Sequence, residues 1–387
     1  MSGKAQHLRK FVAPEIIFGN GSRLLCGEYC SKLSLQKPMI VSDPGVVDSG
    51  WTRQIEADFI QSGIDYITYS DVTPNPKDRE VTAGTERFIE AGCDSIIAVG
   101  GGSPMDCAKG IGIVATNGGN ILDYEGVDKI TDPLPPMLFI PTTAGTSADV
   151  SQFSIINNID EKVKIAIISK VIIPDIALID PETTRTMSPY LTACTGMDAL
   201  VHAVEAFVST ASSRITDVHA LEAIRLLGMH LPRVLDDPDN MEIRESIMLA
   251  SMEAGLAFSN AILGAVHAMA HSLGGFLDLP HGECNSLLLE HVTAFNFPAA
   301  PERFIKIADT LGIDIRNQTE PEINNRLFHY FHRLRNDLGI TKTLADTNVR
   351  KQDIPDLAKK AFHDACLLTN PRKATQRDIE TLFEEAL

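Results

Sequence analysis

The sequence predicts a chain in two parts: an α/β half built on a doubly wound, mostly parallel sheet, followed by an all-helical half. Three observations carry this. Short apolar runs alternate with helically periodic segments through the first half; the clearest runs end in Asp, Gly, Pro or Thr clusters; and strand patterning stops beyond about Pro189. At 387 residues the chain exceeds a typical single domain. Two domains are therefore expected, 1–187 and 188–387.

Taken in order, Pro38 to Ser42 is a short apolar run closed by Asp43-Pro44-Gly45, which suits a buried parallel strand; Ile67 to Ser70 is a second. Between them Trp51 to Ser62 places Ile55, Phe59 and Ile60 at helical spacing, and Arg79 to Glu90 does the same with Val81, Phe88 and Ile89. Ser95 to Val99 then enters the turn Gly100-Gly101-Gly102-Ser103-Pro104, which opens another helix. Met137 to Ile140 leads into Pro141-Thr142-Thr143-Ala144-Gly145-Thr146-Ser147, and Ile176 to Ile179 ends at Asp180-Pro181. Phe153 to Asn157 and Val163 to Ile168, joined by residues 158–162, read as a hairpin interrupting the alternation. The remainder is helix-patterned, with Pro and Gly at its joints.

The formal charge is −17, from 34 basic and 51 acidic residues. A nucleic-acid backbone or an anionic membrane needs a basic surface, so a small molecule is the expected partner. The seven cysteines, Cys26, Cys30, Cys93, Cys107, Cys194, Cys284 and Cys366, are odd in number and scattered, without a Cys-x-x-Cys pair. They read as reduced thiols, with Cys26 and Cys30 on one helix face. The amino terminus lacks the apolar run of a signal peptide, and no window approaches the ~20 continuous apolar residues of a membrane span. The cytoplasm is the expected compartment.

Three glycines at a strand end let a backbone approach phosphate oxygens, and the following helix offers free N–H groups and the positive end of its dipole. Ser103 can add a hydroxyl and Lys109 a charge. The run is neither G-x-G-x-x-G nor a Walker motif, so a plain tight turn is the competing reading. Its place at a strand's carboxyl end, where open α/β sheets bind ligands, favours a nucleotide. Thr142, Thr143, Gly145, Thr146 and Ser147 offer hydroxyls and an amide to the same cleft. Asp43 ends the first strand, where a carboxylate accepts from an adenosine ribose and repels a 2′-phosphate, favouring NAD over NADP; a turn-capping Asp is the alternative.

The helical half concentrates His267, His271, His281 and His291 between Leu263 and His291. His267 and His271 stand four apart among Ala, Val and Met, so on a helix both imidazoles leave one face. A Gly274-Gly275 break would let the chain return His281 toward them. Upstream, Asp198 and His202 repeat the spacing. A buried carboxylate among apolar residues is costly alone, whereas a divalent cation supplies the opposing charge and imidazoles complete its shell. One metal site over two helices and a loop is expected.

Together, Gly-Gly-Gly-Ser-Pro-Met-Asp-Cys-Ala-Lys, Pro-Thr-Thr-Ala-Gly-Thr, Asp198-x-x-x-His202, and His267-x-x-x-His271 with Pro280-His281-Gly282 resemble the iron-dependent (group III) alcohol dehydrogenase family. The resemblance runs from Phe18-Gly19 to Asn370-Pro371-Arg372. It implies a Rossmann-like amino-terminal domain, an all-α carboxyl-terminal domain and a cleft joining NAD(P) to a divalent metal. Fe2+ is the metal first expected, with Zn2+ or another divalent ion as alternatives. Asp198, His202, His267 and His281 match the family's metal ligands, and His271 a residue beside the metal. Asp43, Gly101, Gly102, Ser103, Asp106, Thr142, Thr143, Thr146 and Lys164 match its cofactor side, and Phe258 and Cys366 its substrate pocket. The usual Gly-Ser-Glu is here Ser147-Ala148-Asp149, and the usual Pro before His291 is Glu290. Members of the family are often dimers or larger assemblies.

The implied reaction interconverts a small primary alcohol or diol and its aldehyde with NAD(H). The metal is a Lewis acid on the substrate oxygen, and His271 passes the proton. Rival readings are a dehydroquinate synthase-like lyase, a glycerol dehydrogenase-like polyol oxidoreductase and a non-catalytic sensor.

Overall fold

The computed structural model describes residues 10–161, 163–277 and 279–387. The amino-terminal charged stretch, Lys162 of the expected hairpin turn and Asp278 lie outside the described residues. Nine strands are present among the described residues: β1 (Glu15–Phe18), β2 (Pro38–Val41), β3 (Ile67–Tyr69), β4 (Ser95–Gly100), β5 (Gly126–Val127), β6 (Met137–Pro141), β7 (Phe153–Asn158), β8 (Val163–Ile168) and β9 (Ile176–Ile179). Six form one parallel sheet in the order β1-β9-β6-β4-β2-β3, and β5-β8-β7 form a small second sheet in which β7 and β8 are antiparallel.

The central strands are apolar on both faces because helices cover both. On one side α1 (Cys26–Lys32) and α3 (Trp51–Ser62) pack Cys26, Cys30, Ile55 and Phe59 against Ile40, Ile97, Val99 and Leu138. On the other, α4 (Asp78–Ala91) and α5 (Gly102–Asn117) pack Val81, Phe88, Met105 and Ile111 against Met39, Val41, Ile96 and Ala98. Alternate residues of one strand thus serve opposite cores. A short helix, α2 (Pro44–Ser49), leads from β2 into α3.

The chain steps from β2 outward to β3 and then back across β2 to β4. The strand order reverses there, so the carboxyl ends of β2 and β4 flank the crevice where such sheets bind ligands.

Nine α-helices follow among the described residues: α6 (Pro189–Val208), α7 (Arg214–His230), α8 (Met241–Ala261), α9 (Ala265–Leu277), α10 (His281–Asn296), α11 (Pro301–Thr310), α12 (Glu320–Asp337), α13 (Ile354–Phe362) and α14 (Gln376–Ala386). Their common core runs from Ala193 to Ala386 and takes in Ala144, Val150, Phe153 and Ile179 from the α/β half. By length and composition α6 could cross a membrane, but 89% of its apolar window is buried inside the protein. It is a core helix.

Four expectations change. β1 was not expected; its four residues are ordered by pairing with β9. Ile60 and Ile89 are 70% and 62% exposed, because each lies one residue, about 100° of helix, past the buried Phe59 and Phe88. Gly274 and Gly275 are helical within α9, and the reversal toward His281 comes later, around Leu279 and Pro280. The sharp break is upstream: α8 and α9 meet at 101°, through Ile262 at φ 62°, a strained value for a β-branched residue.

The two halves touch where Gly255 of α8 faces the loop after β6. A Cβ on Gly255 would lie 2.4 Å from Ser147 Cβ and 2.5 Å from Val150 Cγ2. Gly255→Ala should therefore destabilise the protein by about 1–3 kcal/mol through overpacking, although Ala is the better helix former. Urea denaturation checks the sign, and a stabilised variant would refute this packing.

Candidate active site

On the sheet side, three loops converge at the carboxyl ends of β2, β4 and β6. Gly100, at φ 155°, has no room for a side chain, since a Cβ would lie 2.6 Å from Pro104 Cγ. Thr142 N–H donates to Gly100 O at 2.8 Å and ties the glycine and threonine loops together. Cβ positions on Gly101 and Gly102 would fall 3.1 Å from Thr143 Cγ2 and 3.0 Å from Thr146 Cγ2. The loops are thus in contact, and α5 starts at Gly102 with its free N–H groups in the crevice.

Asp43 accepts Val46 N–H at 3.0 Å and caps α2; burial raises its pKa despite the Val46 and Gly45 amides. The capping alternative is thus realised at the position flanking the crevice. Ser103 Oγ accepts Asn75 N–H at 3.2 Å, and Lys164 Nζ donates to Asn75 Oδ1 at 2.7 Å. Asp106 is half-buried, and burial pushes its pKa up to about 7 against the pull of Lys109, the Ile155 amide and Lys164.

Lys109 corrects one expectation. It is fully buried, and its ammonium donates to Ser151 O and Phe153 O, each at 2.8 Å. It pins the chain entering β7 instead of facing a phosphate.

On the helical side, His202 and His267 Nε2 lie 3.9 and 3.8 Å from Asp198 Oδ1, and His281 Nε2 lies 3.9 Å from it. The ligand atoms of Asp198, His267 and His281 are all within 4.8 Å of one another. The His202 and His267 rings stack at 4.5 Å, and His271 stacks on His281 at 5.3 Å. His291 is not part of this group; it packs edge-on against Phe328.

Burial lowers the pKa of His202, His267 and His281, and neighbouring imidazoles depress the last two further, so the rings are neutral. Two of the rings are held from behind. His202 Nδ1 lies 3.2 Å from Gly145 O, and His267 Nδ1 2.6 Å from Glu205 Oε2. The Gly145 carbonyl puts the His202 proton on Nδ1 and turns its Nε2 lone pair toward Asp198, and Glu205 orients the His267 ring with its Nε2 toward Asp198. His271 is held the same way, its Nδ1 2.8 Å from Asp364 Oδ2.

Close approach is built into the backbone. A Cβ on Gly282 would lie 2.1 Å from Cys194 O, so only glycine lets α10 reach α6 and bring His281 to Asp198. Gly145 is equally confined, with a Cβ 2.7 Å from Thr195 O, and this seats its carbonyl against His202.

Phe258 stacks on His202 at 4.3 Å and touches Phe153 at 5.7 Å. Cys366 is buried, and its ligand atom lies within 4.8 Å of those of His271 and Asp364. Lys164 reaches the helical side too: a Cβ on Gly274 of α9 would lie 3.4 Å from its Nζ. Lys109 and His291 apart, the residues singled out from the sequence for metal, cofactor or pocket lie on one of these two sides.

Sequence reasoning missed Glu205, Asn285 and Asp364. Glu205 carried a signal, a carboxylate three residues past His202 in an apolar helix. It accepts Val266 N–H at 2.6 Å as well as the His267 ring, and burial pushes its pKa up to about 8 against those donors. Asn285, four after His281, donates to Asp198 Oδ1 at 2.6 Å. Nothing in the sequence ties Asp364 to His271.

Residues 13–181 match the model of the iron-containing alcohol dehydrogenase family and residues 192–387 that of its carboxyl-terminal domain. The chain is 39% identical to 1,3-propanediol dehydrogenase of Citrobacter freundii over 97% of its length and 98% of that protein's. It is 36% identical to the NAD-dependent methanol dehydrogenase of Bacillus methanolicus over 97% and 99%. A crystal structure of 1,3-propanediol oxidoreductase superposes with a TM-score of 0.95 at 38% identity, covering 98% of this chain and all of that one. The chain belongs to the iron-containing alcohol dehydrogenase family.

Proposed function

We propose that this chain interconverts a small primary alcohol or diol and its aldehyde with NAD(H), using Fe2+ held by Asp198, His202, His267 and His281. The observation that carries the proposal is the convergence of three imidazole nitrogens on one carboxylate oxygen beside the glycine and threonine loops. One carboxylate and three neutral imidazoles suit Fe2+, Zn2+ and other divalent ions. Asn285 Oδ1, buried there without a partner, is a polar atom that no protein group satisfies. When bound, the cation supplies Lewis acidity toward a substrate oxygen, and the nicotinamide accepts or returns hydride.

The chain's own residues do the rest. Gly101, Gly102 and Ser103, with Thr142, Thr143 and Thr146, hold the dinucleotide's phosphates and sugars, and Asp106 and Lys164 close that side. Asp43 takes the ribose hydroxyls and disfavours a 2′-phosphate. His271, its Nδ1 fixed by Asp364, uses Nε2 to move the alcohol proton. Phe153, Phe258 and Cys366 form an apolar wall that favours a short carbon chain and keeps water out. Relatives named for 1,3-propanediol and methanol support that size class.

We place the division between a dinucleotide domain (1–187) and a metal and substrate domain (188–387). Two of the three cores belong to the sheet and its helices, and the third is mostly helical. The protein is proposed to be a homodimer or larger assembly, supported by the place of β1 at the edge of the sheet among the described residues.

Four outcomes are expected. His267→Ala should lose bound metal and NADH formation from 1,3-propanediol together, and Glu205→Ala should weaken metal affinity about 10–100-fold. Metal analysis of anaerobically purified protein reads both; full turnover without metal would end this account. His271→Ala should slow alcohol oxidation by about 10²–10⁴-fold and change its pH profile, and an unchanged profile would remove the proton role. Asp43→Ser should raise kcat/KM with NADP relative to NAD; an unaltered ratio would leave Asp43 as a helix cap alone.

A further inference from the structure

Asn285 stands one turn beyond His281 on α10 and is wholly buried. Its Nδ2 lies 2.6 Å from Asp198 Oδ1, 3.1 Å from His267 Nε2 and 3.2 Å from His281 Nε2. An amide nitrogen only donates, and it carries two hydrogens. The atoms around it are a carboxylate oxygen and two imidazole nitrogens, each of which is an acceptor in the ring tautomer that a metal ligand needs. The amide's two hydrogens are therefore shared among three of the four proposed metal ligands, while its own Oδ1 is buried without a partner.

A residue there only to fill space would be apolar, and would leave a carboxylate and lone pairs facing one another with no compensating donor. A Lys would neutralise the carboxylate but would compete with a cation as a full charge. A neutral donor does neither. It satisfies the acceptors and can be displaced without moving a charge.

We propose that Asn285 is a fifth functional residue of the centre. Its N–H groups stand in for the cation when none is bound, keeping Asp198, His267 and His281 in register, and a cation must displace them to bind. This rests on the reading that Asp198, His202, His267 and His281 hold the metal, and goes beyond it by assigning the residue that competes for their lone pairs.

The test compares wild type with Asn285→Ala and Asn285→Asp, each stripped with a chelator and then loaded with Zn2+. Melting temperatures are measured in both forms, and Zn2+ affinity by competition with a chromogenic chelator. Asn285→Ala should lower the melting temperature of the stripped protein by several degrees and that of the loaded protein by less. Its Zn2+ Kd should tighten about tenfold, since hydrogen bonds to charged and neutral acceptors no longer oppose the ion. Asn285→Asp puts a second carboxylate beside Asp198, so its stripped form should melt lower still and its Zn2+ affinity rise further. If Asn285→Ala folds only with Zn2+, the expectation is met in its strongest form.

Equal melting shifts in the two forms would make Asn285 a packing residue and overturn the proposal. Weaker Zn2+ binding in both variants would also overturn it. Failure of the underlying reading looks different: wild type would bind Zn2+ no better than His267→Ala does.

Discussion

A buried carboxylate without a positive side chain beside it is the constraint that the helical half is arranged around. Asp198 is 2% exposed, and its only ion-pair partners among the described residues are the imidazoles of His202, His267 and His281, which burial keeps neutral. Desolvating an ionised carboxylate costs several kcal/mol when nothing opposes its charge. The backbone is shaped to gather acceptors around it regardless. Gly282 brings α10 against α6, and Ile262 holds a strained φ of 62° where α8 gives way to α9. An arrangement that concentrates lone pairs at a backbone cost is what a cation site requires, and what a purely structural core would avoid.

The same constraint ties the two halves together. The carbonyl that orients His202 belongs to Gly145, in the loop whose threonines meet the glycine turn. Phe258 stacks on His202 and leans on Phe153 at the start of β7, which Lys109 anchors. Lys164 reaches from β8 to Asn75, whose amide bonds Ser103, and lies over Gly274 of α9. The loop that carries the threonines and the His202 ring are thus joined through one hydrogen bond.

How much of this was legible in the sequence follows from which interactions are local. The strand–helix alternation, the glycine turn at a strand end and the four-residue ligand spacings are written in adjacent residues, and these elements appear where expected. What failed depended on distant partners. β1 is a strand because β9 lies beside it. Lys109 looked like a phosphate ligand until Ser151 O and Phe153 O were brought to it. Asp364 lies 93 residues from His271 and meets it only through tertiary folding. Glu205 differs, because the argument that selected Asp198, a carboxylate on an apolar helix face shared with His202, applied equally to it.

Glu205 and Asp364 also separate the roles of the two histidines on α9. His267 and Glu205 have side chains 1% and 3% exposed, and the carboxylate sits at the helix's amino end among backbone N–H groups. Burial there pushes Glu205 to about 8. His271 and Asp364 are 9% and 15% exposed. Burial works to raise Asp364 as well, but the His271 imidazole and the Cys366 amide outweigh it and leave its pKa below the ordinary range. A carboxylate kept ionised against an imidazole stabilises that ring when it takes a proton. In the proposed reaction a proton released during alcohol oxidation must reach water, and the pair nearer the surface, with the ionised partner, is the one suited to pass it on. The deeper pair, one turn away, holds His267 with its Nε2 toward Asp198, so on the proposed function two histidines four residues apart on one helix divide ligand and proton carrier by depth and by the charge of the carboxylate behind each.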